Sequence, residues 1–379
     1  MRLKGNWIWR RLCKIDPVLL GCTLALSLIS IITIWGAVDN FGFSKLRMQI
    51  AMTVAGFFLT VVIANLDISF IIDRFWIGMA LISVVFLGLT LVFGSSGASM
   101  DTSNKSWLTI PFVNIMIQPS EFVKFLLICS FAKHISLVQD RINYPLPLLG
   151  LAVHAGAIVG MILLSGDLGV ALLFVAFILF MLYGAGLSLW YDFGLGAAAV
   201  VAFPFLYNYV LKDYQVKRIY YGFHPEEDPV RWGWQALYGR KTIEHGGFLG
   251  IGFSTPGYYE TLPASHTDFI FCTICEKFGF LCGAVTILIL LVLVLRILKI
   301  ARQKSNHYGG LICLGVAAVI IAQTAENIAM CFALVPVVGI TLPFLSCGGS
   351  SLLATFMLVG LVHSVGARED RYFLDKKVK

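Results

Sequence analysis

Charge is what this chain has least of. Asp, Glu, Lys and Arg make up 13% of its 379 residues, against 58% hydrophobic ones. Soluble folds run near a quarter charged, so a soluble globular protein is excluded and a polytopic membrane protein is implied. Paired cysteines in polar regions are also lacking. The nine cysteines are an odd number, nearly all in apolar runs, and none falls between Leu211 and Thr267. A disulfide framework is therefore not expected. There is no internal repeat, which weakens an inverted-repeat transporter. The sequence also lacks a Gly/Ser/Pro linker and a low-complexity tract, so a single domain over residues 1–379 is expected. The first apolar run, Val18 to Val38, is too long for a signal-peptide core and has no small-residue cleavage pattern, so it reads as a retained span.

What is present is a series of apolar segments. After Val18–Val38 come Gln49–Ala64, Trp76–Phe93, Ser120–Leu137, Leu148–Leu164, Val170–Tyr183 and Leu187–Val210. Beyond a long loop lie Asp268–Leu298, Tyr308–Leu334 and Ser350–Val365. At about 20 apolar residues per span, the expectation is an all-α fold of about ten transmembrane helices. The long loop, about residues 211–267, precedes the eighth. Basic residues orient it. Arg2, Lys4, Arg10, Arg11 and Lys14, then Arg74, Lys133 with Arg141, the Arg296/Lys299/Arg302/Lys304 cluster and the tail from Arg368 to Lys379 all fall on one side. The short loops opposite hold only Lys45, Arg47 and Lys105. Both short tails, 1–17 and 366–379, are thus expected in the cytoplasm and the long loop outside. The net charge of +7 fits this topology and contact with anionic membrane lipid; nucleic acid is not implied.

The polar residues concentrate on the outward side. In the stretch from Leu262 to Phe280, a loop of charges and aromatics turns into apolar helix, with Asp268 at the junction. Thr267 or Asp268 fits an ordinary helix cap, and a carboxylate at the mouth of a membrane helix equally fits a functional group. The segment from Ser95 to Gln118 carries Lys105 and Trp107 and leads into Gln118-Pro119-Ser120-Glu121, followed by Lys124. Pro119-Ser120 reads as a helix start. Glu121 and Lys124, three residues apart, share a face and can pair inside the membrane, either to fix packing or to support a polar cavity. Asp167, between Gly166 and Leu168-Gly169, reads first as a turn residue. The long loop interleaves Lys212, Lys217, Arg218, Arg231, Arg240 and Lys241 with Tyr220, Tyr221, Trp232, Trp234, Tyr238, Tyr258 and Tyr259. That mixture suits an interfacial belt or a platform for an anionic, sugar-bearing headgroup. Pro336 to Ser351, including Ser346, is apolar yet broken by proline and glycine. It reads as a re-entrant element, since irregular backbone at membrane depth must be buried in protein or line a cavity. Glu326 and Asn327 add polar groups to the preceding span. Cys272-x-x-Cys275 has the spacing of a redox or metal motif but sits in an apolar helix without partner ligands, and reads as helix packing.

Taken in order, Gln118-Pro119-Ser120-Glu121 with Lys124, Asp167-Leu168-Gly169, Arg218 with Asp228-Pro229, His266-Thr267-Asp268-Phe269-Ile270-Phe271 with Glu276, Asn327-Ile328, and Pro343-Phe344 with Gly348-Gly349-Ser350 resemble the SEDS family (shape, elongation, division and sporulation). These are the RodA/FtsW-like peptidoglycan glycosyltransferases. Ile15-Asp16-Pro17 and the Gly-Gly-Ser-Ser ending look more RodA-like. Ser165-Gly166, Lys277 and Cys347 depart from the family's usual Gln-Pro, Glu and Tyr, and Trp232-Gly233-Trp234 is unusual. The resemblance implies a multi-pass protein of the bacterial cytoplasmic membrane that polymerises lipid II at the outer face, with a class B penicillin-binding transpeptidase as partner. It maps the catalytic acid onto Asp268. Glu121, Lys124, Trp107, Lys105, Asp167, Lys217, Arg218, His266, Glu276 and Ser346 follow as supporting or substrate-binding positions. Lys105, Lys217, Arg218 or a divalent cation (Mg2+ or Mn2+, with Asp268 as a possible ligand) is expected to neutralise the leaving pyrophosphate. The rival expectation is a lipid II flippase without bond chemistry, and a third is a scaffold that only recruits the transpeptidase.

Overall fold

Asp16 starts the first membrane helix: its carboxylate accepts the free N–H groups of Val18 and Leu19 at 3.0 and 3.1 Å, and Pro17 occupies the first turn. In a computed structural model, which describes residues 15–95, 105–110, 115–211, 213–253, 255–303 and 307–367, the helices follow as α1 (Pro17–Gly36), α2 (Val38–Phe41), α3 (Phe43–Asn65) and α4 (Ile68–Phe93). Then come α5 (Pro119–Val138), α6 (Pro145–Leu164), α7 (Leu168–Gly184) and α8 (Leu189–Phe205). The long loop contributes α9 (Asp213–Phe223) and α10 (Trp234–Gly246), and the chain ends with α11 (Ile270–Arg302), α12 (His307–Cys331) and α13 (Gly349–Gly366). Seven of these are long and apolar enough to cross a membrane. The basic residues Arg2 to Lys14, Lys212, Lys304 and the tail from Arg368 to Lys379 lie outside the described residues, as does Pro111.

Large apolar side chains such as Phe58, Phe70, Leu146 and Val201 stay exposed around the bundle. In water that surface would be untenable; against lipid it is the expected exterior. Inside, glycine lets helices approach. A Cβ on Gly56 of α3 would fall 2.1 Å from the Phe356 ring of α13, and Thr60 of α3 donates to the Phe356 carbonyl at 2.9 Å. Helix α5 runs through the core with Val123, Leu127, Ile128 and Phe131 fully buried.

Two features differ from the sequence reading. Leu108–Ile110 and Ile115–Ile117 pair as a short antiparallel hairpin, Leu108 opposite Ile117, in a fold otherwise helical. The eighth span does not start at Asp268: α11 starts at Ile270, and Gly279 breaks it (φ 80°, ψ 169°) into a short outer piece and a long inner one. The segment between α12 and α13 is irregular as expected, with positive φ at Ala333, Gly339 and Phe344. Ile340, Leu342, Phe344, Leu345 and Cys347 of that segment are buried in protein.

At the end of the bundle away from Asp268, Arg296 of α11 binds the Asp16 carboxylate through Nε at 2.8 Å. Burial alone would raise the Asp16 carboxyl, but the guanidinium and the two cap N–H groups outweigh it and hold it low. Lys133 of α5 meets Asp73 of α4 at 2.7 Å.

Candidate active site

Asp268 sits half-buried in the turn just before α11. It does not cap that helix: Phe269 holds the cap position, and no side chain satisfies it. The turn is held from two sides. Asn327 of α12 donates its amide to the Asp268 carbonyl at 2.7 Å and to the Ile340 carbonyl at 2.6 Å. Ser346 donates to the Thr267 carbonyl at 2.7 Å while accepting the Leu342 N–H at 2.7 Å, and Cys347 N–H reaches the His266 carbonyl at 2.9 Å. The irregular segment from Pro336 to Gly348 therefore closes on the Asp268 turn. Gly339, at φ 74°, lets it: a Cβ there would lie 3.4 Å from the Asp268 carboxylate.

Burial pushes the Asp268 carboxyl up to about 6, and the charge of Asp167 adds to the rise. The Thr267 hydroxyl and the Arg218 guanidinium act the other way. Asp167 is a turn residue and more. It caps α7 by accepting the Val170 N–H at 3.2 Å, and it also feels the charges of Glu121 and Arg218. Burial again raises its carboxyl. Beside it lies a cavity of about 10 Å³, lined in part by Ser106, Ser120 and Ser165, large enough for one water. Glu121 and Lys124 pair at 2.8 Å, with 6% and 1% of their side chains exposed.

The other candidate positions divide. Arg218 of α9 is half-buried and joins the Asp167/Asp268 field, whereas Lys217 beside it is exposed. Lys105 is exposed, its N–H bound to the Ser165 carbonyl at 2.9 Å, and Trp107 pairs with Ser95 at the base of the hairpin. His266 turns to the opposite flank, its ring 5.3 Å from that of Phe41. Burial and the nearby Lys45 push its imidazole down to about 4, so it is neutral at pH 7.

Glu276 does something the sequence did not signal. Fully buried, it accepts the N–H groups of Tyr258 and Tyr259 at 2.8 Å each and meets His245 Nδ1 at 2.7 Å. Lys277 donates to the Phe253 and Thr255 carbonyls at 3.0 Å and lies 4.4 Å above the Tyr259 ring. The two neighbours anchor the long loop onto the outer piece of α11. Cys272 and Cys275 are buried free thiols, and among the described residues no group of three His, Cys, Asp or Glu side chains could hold a metal ion.

A model of the cell cycle protein family FtsW/RodA/SpoVE matches residues 14–371. The probable peptidoglycan glycosyltransferase FtsW of Trichlorobacter lovleyi is 33% identical, with 94% of each chain covered. Stage V sporulation protein E of Bacillus subtilis is 31% identical over 94% of this chain and 98% of its own, and the peptidoglycan glycosyltransferase MrdB of Escherichia coli is 28% identical over 96% of each. Relatives named FtsW, stage V sporulation protein E and MrdB all match, so a RodA-like branch is not distinguished. Among solved structures, a chain from a peptidoglycan synthase complex described for coordinating polymerization and crosslinking superposes with TM-score 0.76 at 26% identity, covering 94% of this chain and 98% of that one. The rod shape determining protein RodA of Thermus thermophilus gives 0.68 at 22% identity, covering 94% and 97%, a likeness of fold.

Proposed function

From the premise that this chain belongs to the FtsW/RodA/SpoVE family of cell cycle proteins, we propose that it polymerises lipid II into glycan strands at the outer face of the bacterial cytoplasmic membrane, with Asp268 as the base. About ten membrane helices with cytoplasmic termini would place the long loop and Asp268 outside. In the reaction, a sugar hydroxyl of one lipid-linked chain attacks the anomeric carbon of another. The bond to the polyprenyl pyrophosphate breaks, and the hydroxyl proton passes to the Asp268 carboxylate. The observation that carries the reading is the setting of that carboxylate. It is raised to about 6 by burial, close enough to neutrality to take a proton and give it up again.

Arg218, in the same electrostatic field, is assigned the charge of the departing pyrophosphate. Lys217, next to Arg218, and Lys105, whose N–H binds the Ser165 carbonyl two residues from Asp167, are both exposed and would meet phosphate before it reaches the site. Glu121/Lys124 and Asp167 support the cavity wall, Ser346 holds the turn, and Glu276 holds the loop. The described side chains make no resident metal cluster. A Mg2+ or Mn2+ ion taking part would come with the pyrophosphate. The class B penicillin-binding transpeptidase belongs to the same proposal, supported by the likeness to the synthase-complex chain.

The test is a product gel with purified protein and lipid II. Wild type should build glycan ladders and Asp268→Ala should lose them, at a cost of about 10²–10⁴-fold in rate. Parental polymerisation by Asp268→Ala would end the assignment. Lipid movement without any ladder from wild type would favour the flippase.

A further inference from the structure

A second cavity, of about 210 Å³, lies at the end of the bundle away from Asp268, lined by Gln139, Gly184, Arg302, Gly310, Leu311 and Leu314 among others. It forms where the turn after α5, the last turns of α7 and α11 and the first turn of α12 converge. Glycine lets its walls meet closely. A Cβ on Gly184 would fall 2.4 Å from the Leu314 side chain, and one on Gly310 would lie 3.3 Å from the Ala301 carbonyl. Its walls are of two kinds. Leu311 and Leu314 are apolar, while Arg302 is exposed at the rim and has no ion-pair partner among the described residues. The carbonyl oxygen of the Gln139 side chain is buried without a hydrogen-bond donor.

We infer that this cavity binds a phospholipid of the adjoining leaflet whose headgroup carries both a phosphate and a free hydroxyl. The phosphate suits Arg302, the hydroxyl supplies the donor that Gln139 lacks, and an acyl chain lies along Leu311 and Leu314. The local field favours an anion. Lys299 lies three residues before Arg302 and Arg141 two residues after Gln139, against Asp140 between Gln139 and Arg141, and α12 presents its N-terminal end. The C-terminal ends of α5, α7 and α11 act in the opposite sense, but their partial charges are smaller than the three full cations. Basic pockets between helices on the cytoplasmic side are suited to anionic headgroups. The site is independent of the polymerase reading, since none of its residues belongs to the Asp268 cluster.

The full chain, purified and placed in nanodiscs of equal phosphatidylglycerol and phosphatidylcholine, tests it by mass spectrometry of the lipid retained after transfer to detergent. Wild type should retain phosphatidylglycerol in excess. Arg302→Gln, a change at an exposed position that leaves the core untouched, should cut that excess about fivefold. Leu314→Trp, which fills the cavity, should abolish retention. Equal retention of the two lipids by wild type, or an undiminished excess in Arg302→Gln, overturns the proposal.

Discussion

Asp268 is a carboxyl held near 6 by burial, and that value sets a pH dependence. A base works as its ionised form, so kcat/KM for lipid II should rise with pH, with about a tenth of the plateau at pH 5 and half at pH 6. Arg218 lowers this pKa, so Arg218→Ala should move the rising limb to higher pH as well as reduce the rate. A pH–rate profile flat from 5 to 8 in wild type would remove Asp268 from the proton transfer. The Glu121/Lys124 pair answers to a different balance. Both side chains are almost wholly out of solvent, so Lys124→Met leaves a carboxylate buried alone. The expected cost is about 3–5 kcal/mol, read as a drop in Tm, with the double change Glu121→Gln/Lys124→Met recovering most of it. An unshifted Tm in the single variant would mean that Glu121 is reached by water. Both features were legible in the sequence because they are local: a three-residue spacing on a helix, and a carboxylate where polarity gives way to apolar helix. What held Asp268 in place was not legible, because Asn327 is 59 residues away and no spacing rule links them.

At the scale of elements, the helices were readable because each needs a long apolar run, and the start read at Pro119-Ser120 is where α5 begins. The break in α11 was not. Gly279 lies within the run from Phe278 to Leu281, and a glycine there reads equally as helix packing. Its role is set by the loop it meets. Ile251 and Gly252 donate to the carbonyls of Glu276 and Lys277 at 2.9 and 3.0 Å, and Phe280 N–H reaches the Gly247 carbonyl at 2.9 Å. A Cβ on Gly279 would fall 2.2 Å from the Phe248 carbonyl oxygen, at a φ of +80° that L residues rarely adopt. Gly279→Ala should therefore loosen the docked loop, seen as faster amide exchange over residues 245–260 and reduced polymerisation. Gly78→Ala in α4, where a Cβ meets nothing within 4 Å, should change neither. Equal exchange in the two variants would show that the loop does not depend on the break. The hairpin at Leu108–Ile110 escaped the sequence for the converse reason: three-residue strands are too short to carry a period.

For the whole molecule, the decisive matter is which end faces the cytoplasm. Asp268, Asp167, Arg218 and the docked loop gather at one end. The Asp16–Arg296 and Asp73–Lys133 pairs gather at the other. Basic residues in short loops stay cytoplasmic during insertion, and Arg74, Arg141, Lys299 and Arg302 all lie beside those pairs in the chain. On the proposed reading, the field of lysines and arginines would orient the bundle so that Asp268 opens outward, where a lipid-linked sugar polymer would be assembled. The measurement is made in a Cys13→Ser background, since Cys13 lies outside the described residues and the described cysteines are buried apart from the half-buried Cys282. Tyr220, on the α9 side, and Gln303, at the end of α11, are both exposed. In intact cells a membrane-impermeant maleimide should label Tyr220→Cys and spare Gln303→Cys until the membrane is permeabilised. The reverse pattern would put the carboxylate in the cytosol, away from any polymer built outside, and the glycosyltransferase mechanism assigned to Asp268 would fail with it.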